Sequence, residues 1–127
     1  SNFPDFAAAA GEKFPLYRDR MLDLHARRYE TIGAAHEAGI PVYVGTDAGG
    51  HISHGLVPKE ALELERAGMP RVDVLGAATW RAREWLGRPG LDEGDPADLV
   101  VVESDPSQDL RVLADPVAIV LRGRRVA

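Results

Sequence analysis

An apolar run that stops at an acid constrains this chain more than any other feature: Ile40-Pro41-Val42-Tyr43-Val44 leads directly into Gly45-Thr46-Asp47-Ala48-Gly49-Gly50. Five residues that are apolar on both faces, the Tyr43 hydroxyl aside, are the pattern of a parallel strand covered by helices. Pro41 is tolerated near its start, where a ladder hydrogen bond can be missing. The sequence predicts a strand over Ile40–Val44 with one carboxylate, Asp47, at its C-terminal mouth, the end of such strands where reactive groups gather.

The flanks read as helix. From Leu16 to Ala38, Tyr17, Met21, Leu24, Ile32 and Ala35 share a broad face and Gly39 sits where a C-terminal cap is expected. This predicts one helix of about 23 residues, roughly 34 Å long. Pro58 opens a second helix to Ala67, closed by Gly68, with Ala61, Leu64 and Ala67 as its apolar stripe. Two shorter helices, Val72 to Thr79 and Arg81 to Leu86, carry Trp80 and Trp85, which read as packing residues. Ser1 to Pro15 reads as a loop with one helical turn.

After Gly87 the pattern changes. Gly90, Gly94 and Pro96 punctuate a connection, Asp98 to Glu103 and Val117 to Leu121 read as strands, and Arg122-Gly123-Arg124 turns the chain into a last strand at Arg125 to Ala127. Between the strands, Pro106 to Pro116 reads as a loop with a short helical turn. The shift divides the chain into residues 1–87 and 88–127.

With 127 residues the chain can hold one cored domain, whereas a closed eight-stranded α/β barrel needs roughly 250. A net charge of -5 argues against a nucleic-acid partner, and the Arg clusters at Arg27 and Arg28 and at Arg122, Arg124 and Arg125 read as solvated surface. No cysteine is present, which excludes disulfides and thiolate metal sites. There is neither a basic-then-apolar leader pattern nor an apolar run near the roughly 18 residues of a membrane span. The expectation is a soluble, cytoplasmic protein without membrane partners.

Taken locally, Asp47 has two readings: a reactive carboxylate, or a cap for the following loop or helix. His51 and His54 add a third possibility, a local metal site with Asp47, since His-x-x-His beside an acid can ligate. An anion cradle at Gly45–Gly50 is disfavoured, because the loop carries an acid and lacks Lys or Arg.

Gly45-Thr46-Asp47-Ala48-Gly49 with His54-Gly55 after it, Ala97-Asp98-Leu99-Val100-Val101-Val102 followed by Asp105-Pro106, and the closing Val120-Leu121-Arg122-Gly123-Arg124-Arg125-Val126 occur in one order and spacing. Together they resemble the C-terminal portion of the metal-dependent amidohydrolase superfamily, in its imidazolonepropionase-like and Xaa-Pro-dipeptidase-like branch, from about Leu16 to Ala127. The resemblance implies an α/β fold: the last helix-strand-helix units of a (β/α)8 barrel over 1–87, and short β-strands of an attached sandwich over 88–127. It implies that Asp47 contacts a catalytic divalent metal, with zinc as the expected ion, and accepts a proton from the attacking water. It places His54 in the loop beside the substrate opening and Asp98 at the entry to a sandwich strand.

The family's His-x-His pair and its later barrel ligands have no counterpart in these residues, and one carboxylate cannot hold zinc. The chain alone is therefore expected to bind no metal and to be inactive. The expected partners are an amide or dipeptide-like small molecule and either the missing N-terminal barrel portion or a second copy. The alternative is a self-standing, non-catalytic binding or structural domain of the same fold.

Overall fold

The computed structural model describes residues 7–9 and 14–127. The reading of Ser1 to Pro15 falls mostly outside these residues. In chain order the elements are α1 (Pro15–Ala26), α2 (Arg28–Glu37), α3 (Val57–Arg66), α4 (Arg71–Ala78), α5 (Trp80–Trp85), β1 (Leu99–Val101), a 3₁₀ helix (Leu110–Ala114), β2 (Ala118–Leu121) and β3 (Arg124–Arg125). The architecture is thus mixed: a helical body and a small three-stranded antiparallel sheet in the order β1-β2-β3. Among the described residues, no helix is long and apolar enough to cross a membrane.

The single helix expected over 16–38 is two. It breaks at Arg27 (φ -94, ψ 8), where the Arg28 guanidinium turns back to donate to the His25 carbonyl at 2.7 Å and lies over the Tyr29 ring. A carbonyl at the end of α1 thereby gains a side-chain donor. Neither α1 nor α2 contains a fully buried residue. The expected apolar face is covered at its far end, where Ile32 packs against the core, and open at its start, with Tyr17 57% and Leu24 43% exposed.

The anticipated glycine caps are present. Gly39 (φ 76) and Gly68 (φ 94) take the left-handed conformation. After each, the chain donates back to the last turn: Ile40 N to Ala35 O at 3.0 Å, and Met69 N to Leu64 O at 3.2 Å. This is the Schellman closure, which satisfies carbonyls a helix end otherwise leaves open. At the second cap it also seats Met69 beside Leu64 in the core.

That core consists of Ala61 and Leu64 from α3, Met69, Val74, Leu75 and Ala77 from α4 and its lead-in, and Leu110 from the 3₁₀ helix. Ile32, Val42, Val44, Leu62 and Leu113 pack around it. Leu110 is fully buried, so the segment after Gly87 is anchored in the helical body. Asp109 fixes that anchor by accepting from Arg111 N at 2.9 Å as the cap of the 3₁₀ helix.

Ile40–Val44 departs from expectation. Val42 and Val44 face the core as a covered strand would, and Val44 N donates to Ala77 O at 3.2 Å. Yet residues 40–48 form no ladder, because no other described segment lies alongside to pair with them. The sheet residues of the chain are elsewhere. Leu99 pairs with Val120, Val101 with Ala118 and Val120 with Arg125, and the two-residue turn Arg122-Gly123 has positive φ at both positions (51 and 74), as a type I′ hairpin requires. These strands are shorter than the sequence predicts, and Trp80 and Trp85, expected to be packed, are 49% and 67% exposed.

Candidate functional site

Asp47 lies at the end of the 40–46 segment with φ 50, one of two non-glycine residues with positive φ among those described. Its conformation follows from its surroundings. Gly49 N donates to Ile52 O at 2.9 Å and Ile52 N to Gly49 O at 3.0 Å, closing a tight Gly49–Ile52 turn that doubles the chain back immediately after the acid. Gly49 (φ 134) and Gly50 (φ 55) make that reversal possible. The result is an exposed Asp47 between half-buried Thr46 and Ala48.

The capping reading of Asp47 fails. Helix α3 starts only at Val57, its N-cap is Leu56, and no side chain caps it. No hydrogen bond or ion pair joins Asp47 to another described residue. Its electrostatic neighbour is Glu60, in the first turn of α3. Burial raises the Glu60 pKa above the usual carboxylate value, and the negative charges of Glu63 and Asp47 raise it further. Glu60 escapes sequence reasoning because nothing in its own helix marks it; only the fold brings it towards Asp47.

His51 and His54 are both exposed, His51 on the Gly49–Ile52 turn and His54 in the stretch leading to α3. The structure does not bring Asp47, His51 and His54 together. Among the described residues, no group of three or more His, Cys, Asp or Glu could hold a metal ion. Asp47 offers one carboxylate where a catalytic zinc site uses three protein ligands, so the residues present do not make up such a centre. Asp47 is left as an exposed carboxylate with no cation paired to it among the described residues.

A second constellation occupies the other end of the 40–48 segment. His36 Nε2 lies 3.5 Å from Asp73 Oδ2, and Arg81 pairs with Asp73 Oδ1 at 2.7 Å. Beside them the Tyr43 and Trp85 rings stack with centroids 5.0 Å apart. These residues border a cleft of about 450 Å³ floored by Ile40, Val42 and Met69. They link α2, α4 and α5 around the start of the unpaired segment. Asp98 does what the sequence suggests, accepting from Arg122 N at 2.6 Å and so tying the entry of β1 to the β2–β3 turn.

Comparison with known proteins bears on this geometry. The amidohydrolase family model matches residues 17–126. An uncharacterised protein of Mycobacterium tuberculosis is 52% identical over 123 residues, covering 97% of this chain and 33% of the relative. Ochratoxinase of Aspergillus niger is 32% identical over 110 residues, 78% of this chain and 21% of that enzyme. Among solved structures, a Xaa-Pro dipeptidase with methionine bound in its active site superposes with a TM-score of 0.75 at 24% identity, over 97% of this chain and 33% of that one. A prolidase-like protein of Bifidobacterium longum gives 0.68 at 33% identity, over 77% and 26%. The chain thus spans about a third of the length of the mycobacterial relative.

Proposed function

The chain belongs to the amidohydrolase family, and from that premise we propose that it is the C-terminal portion of a metal-dependent hydrolase that cleaves an amide or dipeptide-type C–N bond with an activated water. Residues 1–87 supply the last units of its barrel and residues 88–127 the strands of its small sandwich. The observation that carries the reading is Asp47: an exposed, uncapped carboxylate with φ 50, held at the mouth of an apolar segment by a glycine turn. Methionine in the active site of the dipeptidase with the same fold and the ochratoxinase likeness support a small amide or dipeptide-like substrate.

In the complete protein the remaining ligands come from polypeptide outside this sequence. A divalent metal, zinc in this proposal, would be held there with Asp47 as one ligand and would supply activation of a water for attack. Asp47 would accept a proton at its carboxylate and return it to the leaving nitrogen. Gly49 and Gly50 leave the approach to the carboxylate open, and His54 stands on the substrate side of the loop. The uncovered faces of α1 and the unpaired 40–48 segment are where the rest of the barrel adds, and without it the chain is inactive.

The test is Asp47→Asn in the complete protein. Loss of a general base costs about 10²–10⁴-fold in kcat, with KM for a dipeptide substrate little changed. A variant that keeps the wild-type rate overturns the assignment.

A further inference from the structure

We propose that the cleft between the end of α5 and the β2–β3 turn binds a phosphate group. It has a volume of about 880 Å³ and is lined by Arg83, Arg88, Pro89, Asp98, Arg122 and Gly123, among others. None of the lining residues belongs to the Asp47 loop, so this site is independent of the hydrolase reading. It also differs from an anion cradle at Gly45–Gly50.

Three chain segments build the cleft. At the end of α5, Arg88 N donates to Arg83 O at 2.8 Å, which places two arginines at one helix terminus. The Arg83 guanidinium is committed: it donates to Gly90 O at 3.1 Å and lies 3.5 Å from Asp98 Oδ2. Asp98 is committed too, because its other oxygen accepts from Arg122 N. Among the described residues, the side chains of Arg88 and Arg122 have no hydrogen-bond or ion-pair partner. In a chain of net charge -5, two unpaired guanidinium groups therefore border one cleft whose single carboxylate is already occupied.

Backbone conformation is the second observation. Arg122 has φ 51 at a hairpin position that favours Asn, Asp or Gly, whose backbones reach that region at lower cost. A strained residue is a pointer to function when its side chain supplies something the easier residue would not. Here that is an exposed guanidinium on a residue that borders the cleft. Guanidinium forks match phosphate oxygens in bidentate fashion, and two free positive charges balance a phosphate near neutral pH, which carries about -1.5 to -2. The cleft volume is within the roughly 300–1,000 Å³ of small-molecule sites, so inorganic phosphate and a phosphate monoester are the two sources of the same chemistry.

Thermal unfolding of this chain distinguishes them and tests the site. Sodium phosphate and glycerol phosphate should each raise Tm relative to sodium chloride at equal ionic strength. A larger effect of the ester identifies a phosphorylated small molecule as the occupant, and an equal or smaller one identifies free phosphate. Arg88→Gln and Arg122→Asn should each weaken phosphate affinity about tenfold or more, since hydrogen bonds to charged groups are the strong ones. Arg122→Asn separates binding from folding: Asn suits φ 51, so this variant should melt higher than wild type in chloride while losing the phosphate-dependent rise. The proposal is overturned if chloride protects as well as phosphate, or if both variants keep the full phosphate response.

Discussion

Asp47 and Glu60 oppose folding by the same arrangement that equips the site. Asp47 holds a left-handed backbone that costs an L-residue about 1 kcal/mol or more, and its charge adds to the burial that raises the Glu60 pKa. A carboxyl with a raised folded-state pKa is favoured by folding when protonated and disfavoured when ionised. Its unfavourable contribution is absent below the unfolded value of about 4.3 and develops as pH rises through the folded value. Glu60→Gln should therefore raise Tm at pH 7 and leave it unchanged below about pH 4; a Tm gain that persists in acid would show that charge is not the cause. At this scale the sequence was informative wherever a role depends on near neighbours. Asp47 is bracketed by its own glycines, Gly39 and Gly68 close helices a few residues away, and Asp98 stands beside the strand it orders. Glu60 was not legible, because Asp47 comes towards it only through the fold, and Arg122 was legible as a turn residue while the cleft it borders with Arg88 was not.

Gly33 shows how two elements are held at a distance that sequence periodicity cannot specify. It lies in α2, where glycine weakens a helix by about 0.5–1 kcal/mol relative to Ala, and a Cβ at this position would collide with the Ala67 carbonyl oxygen at the end of α3. The contact is with backbone, which has little room to yield. Gly33→Ala should then lower stability by about 1–3 kcal/mol, the usual cost of overpacking, despite its better helix propensity. A urea midpoint equal to or above wild type would refute the close approach. The helices α3, α4 and α5 follow their periodicity to within a residue or two, since each buries a stripe or is closed by a glycine. The break at Arg27 was hidden because it depends on where the Arg28 side chain turns. Ile40–Val44 has the composition of a covered strand and the packing of one through Val42 and Val44; its missing ladder is a matter of partners, which no local pattern reports.

The whole molecule has a small core and a large uncovered apolar surface. The buried cluster is confined to α3, α4, the turn between them and the 3₁₀ helix, while Phe14, Leu16, Tyr17, Ile40 and Trp85 are each more than half exposed. Contiguous apolar surface and an unpaired strand-like segment both favour association. Sedimentation of the chain alone should give species larger than one copy, and addition of the remaining barrel polypeptide should convert them to a one-to-one complex. A stable monomer indifferent to that polypeptide would instead favour the self-standing domain. The family was legible from three separated motifs, and the helices and the last strands from periodicity and turn residues.

Leu110 carries one further consequence. Because it is fully buried among α3 and α4 residues, the exposed connector at residues 91–94 is not the only tie between the helices and the sheet. A protease that nicks this connector should yield two peptides on a denaturing gel and still one peak on a sizing column, whereas Leu110→Ala, which removes about 2–5 kcal/mol of packing, should let the pieces part. The chain is stapled through its side chains across the place where its backbone is easiest to cut.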